Sequence, residues 1–337
     1  MQESDPSEDP SQPDGPATSQ GMPHDPMEVH QSRERYFTAL KGDPWGFRNP
    51  AYNWSEENRF VFWIIAFYIC VLTAVVGLVH AGALPAFNPS TLPYFFAGLL
   101  LLYVGKFMCS WLVLFRDVKI NYVRKLGLRP WKKLVAFLVP LFVTKGDSVI
   151  TDWVVLFSLQ CLVGVFTEWN VTRRRAKALA FAYLSWDRLE DRPYSMRYDQ
   201  VEDLFRFAIY LPFMMLFGNA SVIVLIPNLV NQFGDGLAEP IGIRFGAHKY
   251  RSRAIWYDGK FWSGNFTRSW EGSAAVFGVT LLVMALFHSE FTPLQLVIGL
   301  IIMPPLMTLA EAISPHTGDG PAIALVGCLS LWGITLI

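Results

Sequence analysis

Long apolar runs separated by short polar stretches dominate the chain. A transmembrane helix needs about 20 mostly apolar residues. Five runs meet or approach that length: 60–79, 92–115, 273–287, 294–312 and 321–337. Four further runs are short or interrupted by proline: 134–143, 150–166, 204–217 and 221–233. Because only helices and closed barrels satisfy their backbone groups inside a bilayer, this pattern predicts an all-α, polytopic transmembrane bundle with eight or nine spans.

Composition agrees with a membrane protein. Of the 337 residues, 52% are hydrophobic and only 17% are charged. Lys plus Arg and Asp plus Glu balance at 28 each, which argues against a nucleic-acid partner, since such a protein needs a basic surface. The cysteines lie inside apolar runs with no close pair, so neither a disulfide framework nor a zinc site is favoured: Cys70, Cys109, Cys161 and Cys328.

The sequence divides into three predicted regions. Residues 1–33 are rich in Pro, Ser and acidic side chains, and they predict a disordered acidic cytoplasmic tail. Residues 34–200 predict an amino-terminal transmembrane region with basic cytoplasmic loops. Residues 201–337 predict a second transmembrane region, which carries the candidate catalytic groups described below.

Orientation follows from the positions of Lys and Arg, because short loops rich in these residues remain cytoplasmic. Basic clusters occupy 116–133, 173–177 and the loop 244–268. This distribution predicts a multi-pass protein of a bacterial inner membrane or an endomembrane, with its amino terminus in the cytoplasm. Counting spans onward from the third cluster places residues 311–320 on the same cytoplasmic face as residues 234–235.

A glycine-rich segment with one carboxylate ends the run 221–233. A charge there is costly without partners, so Asp235 is a candidate ligand for a hard cation such as Mg²⁺. The surrounding glycines would let backbone amides approach phosphates, namely Gly234, Gly236, Gly242 and Gly246. Arg244 and Lys249 in the following loop could neutralise a polyphosphate. Ordinary positive-inside topology explains these charges equally well.

A cation, a hydroxyl and a carboxylate precede the run 273–287 within one turn. They belong to the segment Arg268-Ser269-Trp270-Glu271-Gly272. Such a cluster could orient nucleotide phosphates at a helix amino terminus. The alternative is that Glu271 is favoured there only by the helix dipole.

The last cluster is also acidic. Glu311 ends an apolar run and Asp319 begins the next one, and both are poor places for a charge without a role. His316 lies between them and is a possible general acid or base, although a loop histidine is more often simply solvated.

Taken together, these motifs resemble those of the polyprenol kinase family of membrane CTP-dependent lipid kinases, which includes dolichol kinase, phytol kinase and the CTP-dependent diacylglycerol kinase. The resemblance covers 201–337. It rests on three ordered motifs: Gly234-Asp235-Gly236 with Ala238, Gly242 and Gly246; Arg268-Ser269-x-Glu271-Gly272-Ser273; and Glu311-Ala312 with Asp319.

The resemblance implies transfer of the γ-phosphate of CTP, with Mg²⁺, to the hydroxyl of a lipid alcohol at the cytoplasmic face of the bilayer. Asp235 would be the metal ligand, and Arg268, Ser269 and Glu271 would belong to the nucleotide loop. Asp319 is the first candidate for the base and Glu311 the second.

Two alternatives stay open. Phosphatidate cytidylyltransferases have a similar acidic-glycine motif, but they also have a Lys-Asp-x-Gly stretch ending in Pro-Gly-His-Gly-Gly, which this sequence lacks. A transporter is suggested by the broken helices and intramembrane carboxylates. The predicted position of the acids at one face, and not at the midplane, argues against it.

Overall fold

Apolar helices account for most of the described chain. The computed structural model describes residues 54–116, 118, 123, 148–185, 195–257, 260–314 and 318–337. The predicted tail 1–33, the predicted run 134–143 and His316 therefore lie outside the described residues. The helices are α1 (Trp54–His80), α2 (Leu92–Phe115), α3 (Val149–Glu168), α4 (Asn170–Arg175), α5 (Lys177–Leu184), α6 (Ser195–Phe217), α7 (Val222–Leu229), α8 (Asp235–Phe245), α9 (Trp270–Leu286), α10 (Pro293–Ala312) and α11 (Asp319–Thr335).

Four of the described helices are long and apolar enough to cross a membrane. They are α1, α2 together with the short 3₁₀ turn before it, α3 and α10. Two shorter apolar helices, α9 and α11, accompany them. Phe62 and Trp63 on α1 are 65% and 69% exposed, as expected for side chains that face lipid. The chain is thus a mostly helical membrane protein, as predicted, whereas the predicted eight or nine spans are not confirmed.

Local sequence signals set several helix ends. Thr292 and Gln295 form a capping box at the start of α10, and Pro293 occupies its first turn, where no amide donor is needed. Ser221 caps α7 by accepting a hydrogen bond from the amide of Ile223. These signals explain why the apolar runs begin as helices at these residues.

Small residues allow close approach among the carboxy-terminal helices. A Cβ atom added at Gly327 of α11 would lie 2.6 Å from the Pro227 Cβ of α7. One added at Gly299 of α10 would lie 2.5 Å from the Met284 Cε of α9. Because lipid provides no hydrophobic drive between helices, such tight van der Waals contacts are the main source of association.

A second apolar cluster joins α1, α3 and α6. Its buried members are Val61, Ile64, Tyr68, Cys161, Val165 and Met196. Helix α6 also packs on α11 of the carboxy-terminal group. The predicted boundary between residues 200 and 201 falls inside α6, so this helix contributes to both regions.

The segment after α8 is an antiparallel hairpin of β1 (Lys249–Tyr257) and β2 (Lys260–Ser269). The segment 244–268 was predicted to be a loop, and that prediction was wrong for the residues of β1 and β2. The missed signal is an alternation of period two: Lys249, Arg251 and Arg253 are exposed, whereas the residues between them are less so. Its high charge made the segment look like a loop.

Candidate functional site

Three sets of contacts bring the predicted acidic clusters to one end of the carboxy-terminal helices. Arg268 at the end of β2 donates hydrogen bonds to Glu311 and, at 3.0 Å, to the Ser314 carbonyl. The backbone of Gly234, beside Asp235, packs against Val276 of α9. These contacts join the second cluster to the last and the first cluster to the helix that follows the second.

The third contact joins the start of α11 to the turn before α8. Asn231 Nδ2 donates to the Gly320 carbonyl at 3.5 Å, which places Asp319 near the turn that precedes Asp235. We refer to Asp235, Arg268, Glu311 and Asp319, with the neighbouring Asn231 and Glu202, as the acidic end.

The three predicted carboxylates are deeply buried. Asp235, Glu311 and Asp319 are 3%, 4% and 1% exposed. Glu311 is paired with Arg268, and Asp319 Oδ1 accepts a hydrogen bond of 2.8 Å from the amide of Gly320. Burying an ionised carboxylate is expensive even with partners. Three of them at one end of the carboxy-terminal helices make this end the candidate functional site.

The hairpin directs Arg268 toward the helices. Arg268 is paired across the hairpin with Tyr250, so the two side chains share a face. The Tyr250 hydroxyl lies 2.7 Å from Ser273 Oγ on α9, which shows that this face meets the bundle. A planar guanidinium can bind a carboxylate or a phosphate through two parallel hydrogen bonds. Arg268 Nε is buried and donates to none of the described residues.

The other predicted cations lie elsewhere. Lys249 alternates with Tyr250 along β1 and is exposed, as are Arg251 and Arg253. Arg244 is exposed at the end of α8, with its guanidinium 5.5 Å from the Phe245 ring centroid. The structure therefore does not bring Arg244 or Lys249 together with Arg268.

The first two glycines do not form the predicted phosphate cradle. A π-helical turn, Val230–Gly234, runs directly into α8, and the amide of Asp235 donates to the Val230 carbonyl. Helix α8 consequently begins as a continuation of a helix and not with free amides. The predicted role of Gly234 and Gly236 as amide donors to phosphate conflicts with this geometry.

The remaining glycines let α8 pack against the start of α9. A Cβ atom at Gly242 would lie 2.7 Å from Ser269 Oγ, and one at Gly272 would lie 2.8 Å from the Ala238 carbonyl oxygen. A Cβ atom at Gly246 would lie 2.9 Å from that of Ser269. Their observed role is close backbone packing, which fixes α9 and the adjoining Arg268 relative to Asp235.

Ser269 has a structural partner of its own. Its hydroxyl caps α9 by accepting a hydrogen bond of 3.1 Å from the Gly272 amide. The Trp270 amide donates to the His248 carbonyl at 3.0 Å. Much of the amide capacity that could have bound a phosphate at this helix end is thus already used.

Glu271, in the first turn of α9, binds the two residues that precede β1. Its Oε1 accepts hydrogen bonds from the Ala247 and His248 amides at 3.2 and 3.1 Å and lies 2.8 Å from His248 Nδ1. Glu271 precedes the apolar part of α9. The hydrogen bond from the His248 ring, supported by nearby backbone amides, holds the pKa of its carboxyl below the usual value. We call Glu271, Ala247 and His248 the hairpin clasp.

Two polar residues without a predicted role, Glu202 and Asn231, lie beside the start of α11. A Cβ atom at Gly320 would lie 2.9 Å from Glu202 Oε1 of α6 and 3.4 Å from Asn231 Nδ2. Arg206 forms ion pairs with both Glu202, at 3.5 Å, and Asp203. The Glu202–Arg206 spacing of four is a helix-pair signal, and Asn231 lies in a π-helical turn, a feature frequent at functional sites.

The described residues contain no group of three or more His, Cys, Asp or Glu side chains that could hold a metal ion. Mg²⁺ bound together with a nucleotide needs fewer protein ligands, because phosphate oxygens and one or two carboxylates then coordinate it. Buried Asp235 fits that requirement.

Comparison with known proteins gives no relative, since no family model, no curated protein and no solved structure matches the chain. Function is therefore inferred from the residues of the acidic end.

Proposed function

We propose that the chain is a membrane phosphotransferase that moves the γ-phosphate of a nucleotide, preferably CTP, to the hydroxyl of a lipid alcohol in the presence of Mg²⁺. One observation carries this proposal: three carboxylates, each at most 4% exposed, and a guanidinium share one end of a bundle of apolar helices. Such groups are retained in membrane proteins chiefly for function.

Phosphoryl transfer depends on positioning and on charge stabilisation. Arg268 supplies a guanidinium that can bind a terminal phosphate, while Ser314 and Glu311 orient it. Asp235 would hold Mg²⁺, whose chemistry is to neutralise charge on phosphate oxygens. The lipid oxygen attacks the γ-phosphorus, the β–γ bridging P–O bond breaks, and the nucleoside diphosphate leaves.

The proton of the lipid hydroxyl must pass to a base. Asp319 is the first candidate because it begins α11 beside Glu202 and Asn231. A carboxylate can accept the proton as the new P–O bond forms. Glu311 is the second candidate.

Topology forms part of the proposal. Eight or nine spans, with the acidic end on the cytoplasmic side, would give it access to cytoplasmic nucleotide and to lipid in the inner leaflet. The exposed basic residues Lys249, Arg251 and Arg253 support this orientation, because such residues concentrate on the cytoplasmic face.

The motif similarity to polyprenol kinases favours the kinase over a cytidylyltransferase, and product analysis separates the two. Purified full-length protein in nanodiscs is incubated with Mg²⁺, γ-labelled CTP or ATP, and a polyprenol, phytol or diacylglycerol. The expected result is label in one lipid, with CTP the better donor.

A second arm supplies phosphatidate and α-labelled CTP. Label in the lipid together with released pyrophosphate would identify a cytidylyltransferase and replace the kinase. Wild-type protein that labels no lipid alcohol would contradict the proposal.

A further inference from the structure

Three cations form one side of the hairpin. Lys249, Arg251 and Arg253 lie at alternate positions of β1, so their side chains point to the same side of the strand. All three side chains are exposed. Thr267, the cross-strand partner of Arg251, is exposed on that side as well. We refer to these four residues as the basic face.

The opposite face of the hairpin is already occupied. Ala254 is fully buried there, and the Tyr250 hydroxyl lies 2.7 Å from Ser273 Oγ of α9. The basic face therefore points away from the helices. No ion pair, hydrogen bond or aromatic contact joins the side chains of its three cations to any residue that the structure describes.

The charge of the basic face restricts its partner. Arg268, on the inner face of the hairpin, is paired with Glu311, whereas the three cations of the basic face have no such carboxylate among the described residues. Like charges held on one strand repel each other, and an anionic partner offsets that repulsion. The partner that fits the basic face is therefore an anion.

The position of the hairpin indicates which anion this is. Phe245 at the end of α8 and Trp270 at the start of α9 adjoin the base of the hairpin, and their side chains are 62% and 64% exposed. Exposed aromatic side chains at helix ends are typical of the level of the lipid head groups. Lys249 pairs with Ser269, the residue before Trp270, so the basic face begins at that level.

The basic face also lies within reach of the membrane charge. A strand rises about 3.4 Å per residue, so Arg251 lies about 7 Å and Arg253 about 14 Å beyond Lys249. The potential of an anionic leaflet extends over about one Debye length, which is about 8 Å at physiological salt. Lys249 and Arg251 therefore lie inside this potential.

We propose that the basic face docks on anionic phospholipid head groups of the surrounding bilayer, whose phosphate oxygens accept hydrogen bonds from Lys249 and Arg251. This surface is separate from the acidic end. Neither a nucleotide nor a lipid alcohol enters its test, so its failure and the failure of phosphoryl transfer are distinguishable.

The test measures hydrogen–deuterium exchange of the β1 amides in the purified full chain. The protein is placed in nanodiscs of phosphatidylcholine alone, or of phosphatidylcholine with phosphatidylglycerol. Docking stabilises the closed hairpin, and its amides exchange when the hairpin opens. Because each cation near an anionic surface strengthens association about fivefold, exchange should be at least about tenfold slower in the anionic discs. Equal exchange in the two kinds of disc would overturn the proposal.

A matched pair of double variants locates the effect. Lys249→Gln with Arg251→Gln removes one lysine and one arginine from the basic face, and it should abolish most of the difference between the discs. Lys177→Gln with Arg175→Gln removes the same two residue types from exposed positions where α4 ends and α5 begins, and it should retain the difference. If both double variants respond to phosphatidylglycerol as the wild type does, the basic face is not the docking surface.

Two further arms use the wild type alone and so decide the matter even if a variant does not fold. At about 1 M salt the Debye length falls to about 3 Å, so the difference between the discs should disappear. A difference that persists at high salt would contradict docking through charge. Sodium triphosphate added to the neutral discs should leave exchange unchanged. If it slows exchange as much as phosphatidylglycerol does, the basic face recognises free phosphate and not the membrane surface.

Discussion

Two buried ion pairs, one in each region of the molecule, differ in the contacts that surround them. Lys106–Glu168 joins α2 to α3, and Arg268–Glu311 joins β2 to α10. Lys106 is a point charge that leaves Glu168 Oε2 without a described donor, beside a crevice. Arg268 also reaches the Ser314 carbonyl, so its planar guanidinium fixes two elements in one orientation.

Packing differs in the same way. Around the carboxy-terminal pair, glycines bring α8 and α9 into backbone contact. Around the amino-terminal pair, α2, α3 and α6 leave a small polar crevice of about 30 Å³. The surroundings of the carboxy-terminal pair are thus packed through close backbone contacts, whereas a small polar gap remains beside the amino-terminal pair.

The largest expected effect is the loss of Arg268. Arg268→Ala leaves Glu311 buried without its cation and should lower the free energy of unfolding by about 3–5 kcal/mol. Adding Glu311→Gln should recover part of this loss because the uncompensated charge disappears. Unfolding in mixed micelles measures both. Equal stability of the single and double variants would show that the pair does not carry the effect.

The glycine contacts should have the next largest effect. Gly272→Ala places a Cβ atom against the Ala238 backbone, which cannot move aside, and should destabilise the protein by about 1–3 kcal/mol. Gly278→Ala on the same helix is the control, since nothing lies within 4 Å of its added Cβ. The control should be neutral or slightly stabilising. Identical unfolding midpoints of Gly272→Ala and Gly278→Ala would contradict the packing role of Gly272.

Loss of either of two helix caps should lower stability by the same amount, but only one of the two losses should lower activity. Ser269→Ala and Thr292→Ala each remove an N-cap and should each lower stability by about 1 kcal/mol. Only Ser269 adjoins Arg268, so only its replacement should also slow labelling of the lipid alcohol. Equal residual activity of the two variants, measured per folded protein, would show that the α9 cap does not influence the site.

The smallest expected effect is a change in pH dependence. Because the folded pKa of Glu271 is lowered, its hydrogen bonds stabilise the protein above the usual pKa of 4.5 and are lost as the pH falls through the folded value. Thermal midpoints between about pH 5 and pH 3 should therefore fall less in Glu271→Gln than in the wild type. Glu290 is exposed, so Glu290→Gln should retain the wild-type dependence of the thermal midpoint on pH. The same dependence in all three proteins would show that the hairpin clasp does not cause it.

Features carried by local periodicity could be predicted from the sequence. The run 92–115 matches α2 residue for residue, and 294–312 differs from α10 by one residue at its start. A long apolar run needs no tertiary information to be helical in a membrane. The segments that hold Asp235, Glu311 and Asp319 were also expected to lie together, and contacts join them, whereas their common position on the cytoplasmic face stays a prediction.

Features that depend on contacts between distant segments could not be predicted. The role of Gly272 depends on the Ala238 carbonyl, and Glu202 adjoins Asp319 only because α6 packs on α11. The spacing of residues along the sequence does not predict which distant segments come into contact. The hairpin was missed because its alternation is expressed in charged residues, which also mark cytoplasmic loops.

The central claim is that the acidic end, and not burial of charge in general, carries out phosphoryl transfer. Asp235 and Asp152 form a matched pair for testing it: both are at most 3% exposed, but Asp152 lies in α3, where it accepts hydrogen bonds from the Asn88 amide and the Ser148 hydroxyl.

The decisive measurement is the rate of label transfer from γ-labelled CTP to the lipid alcohol, normalised to folded protein. Asp235→Asn should reduce it about a hundredfold or more, whereas Asp152→Asn should leave it near the wild-type value. Equal rates for the two variants would contradict the assignment of the acidic end.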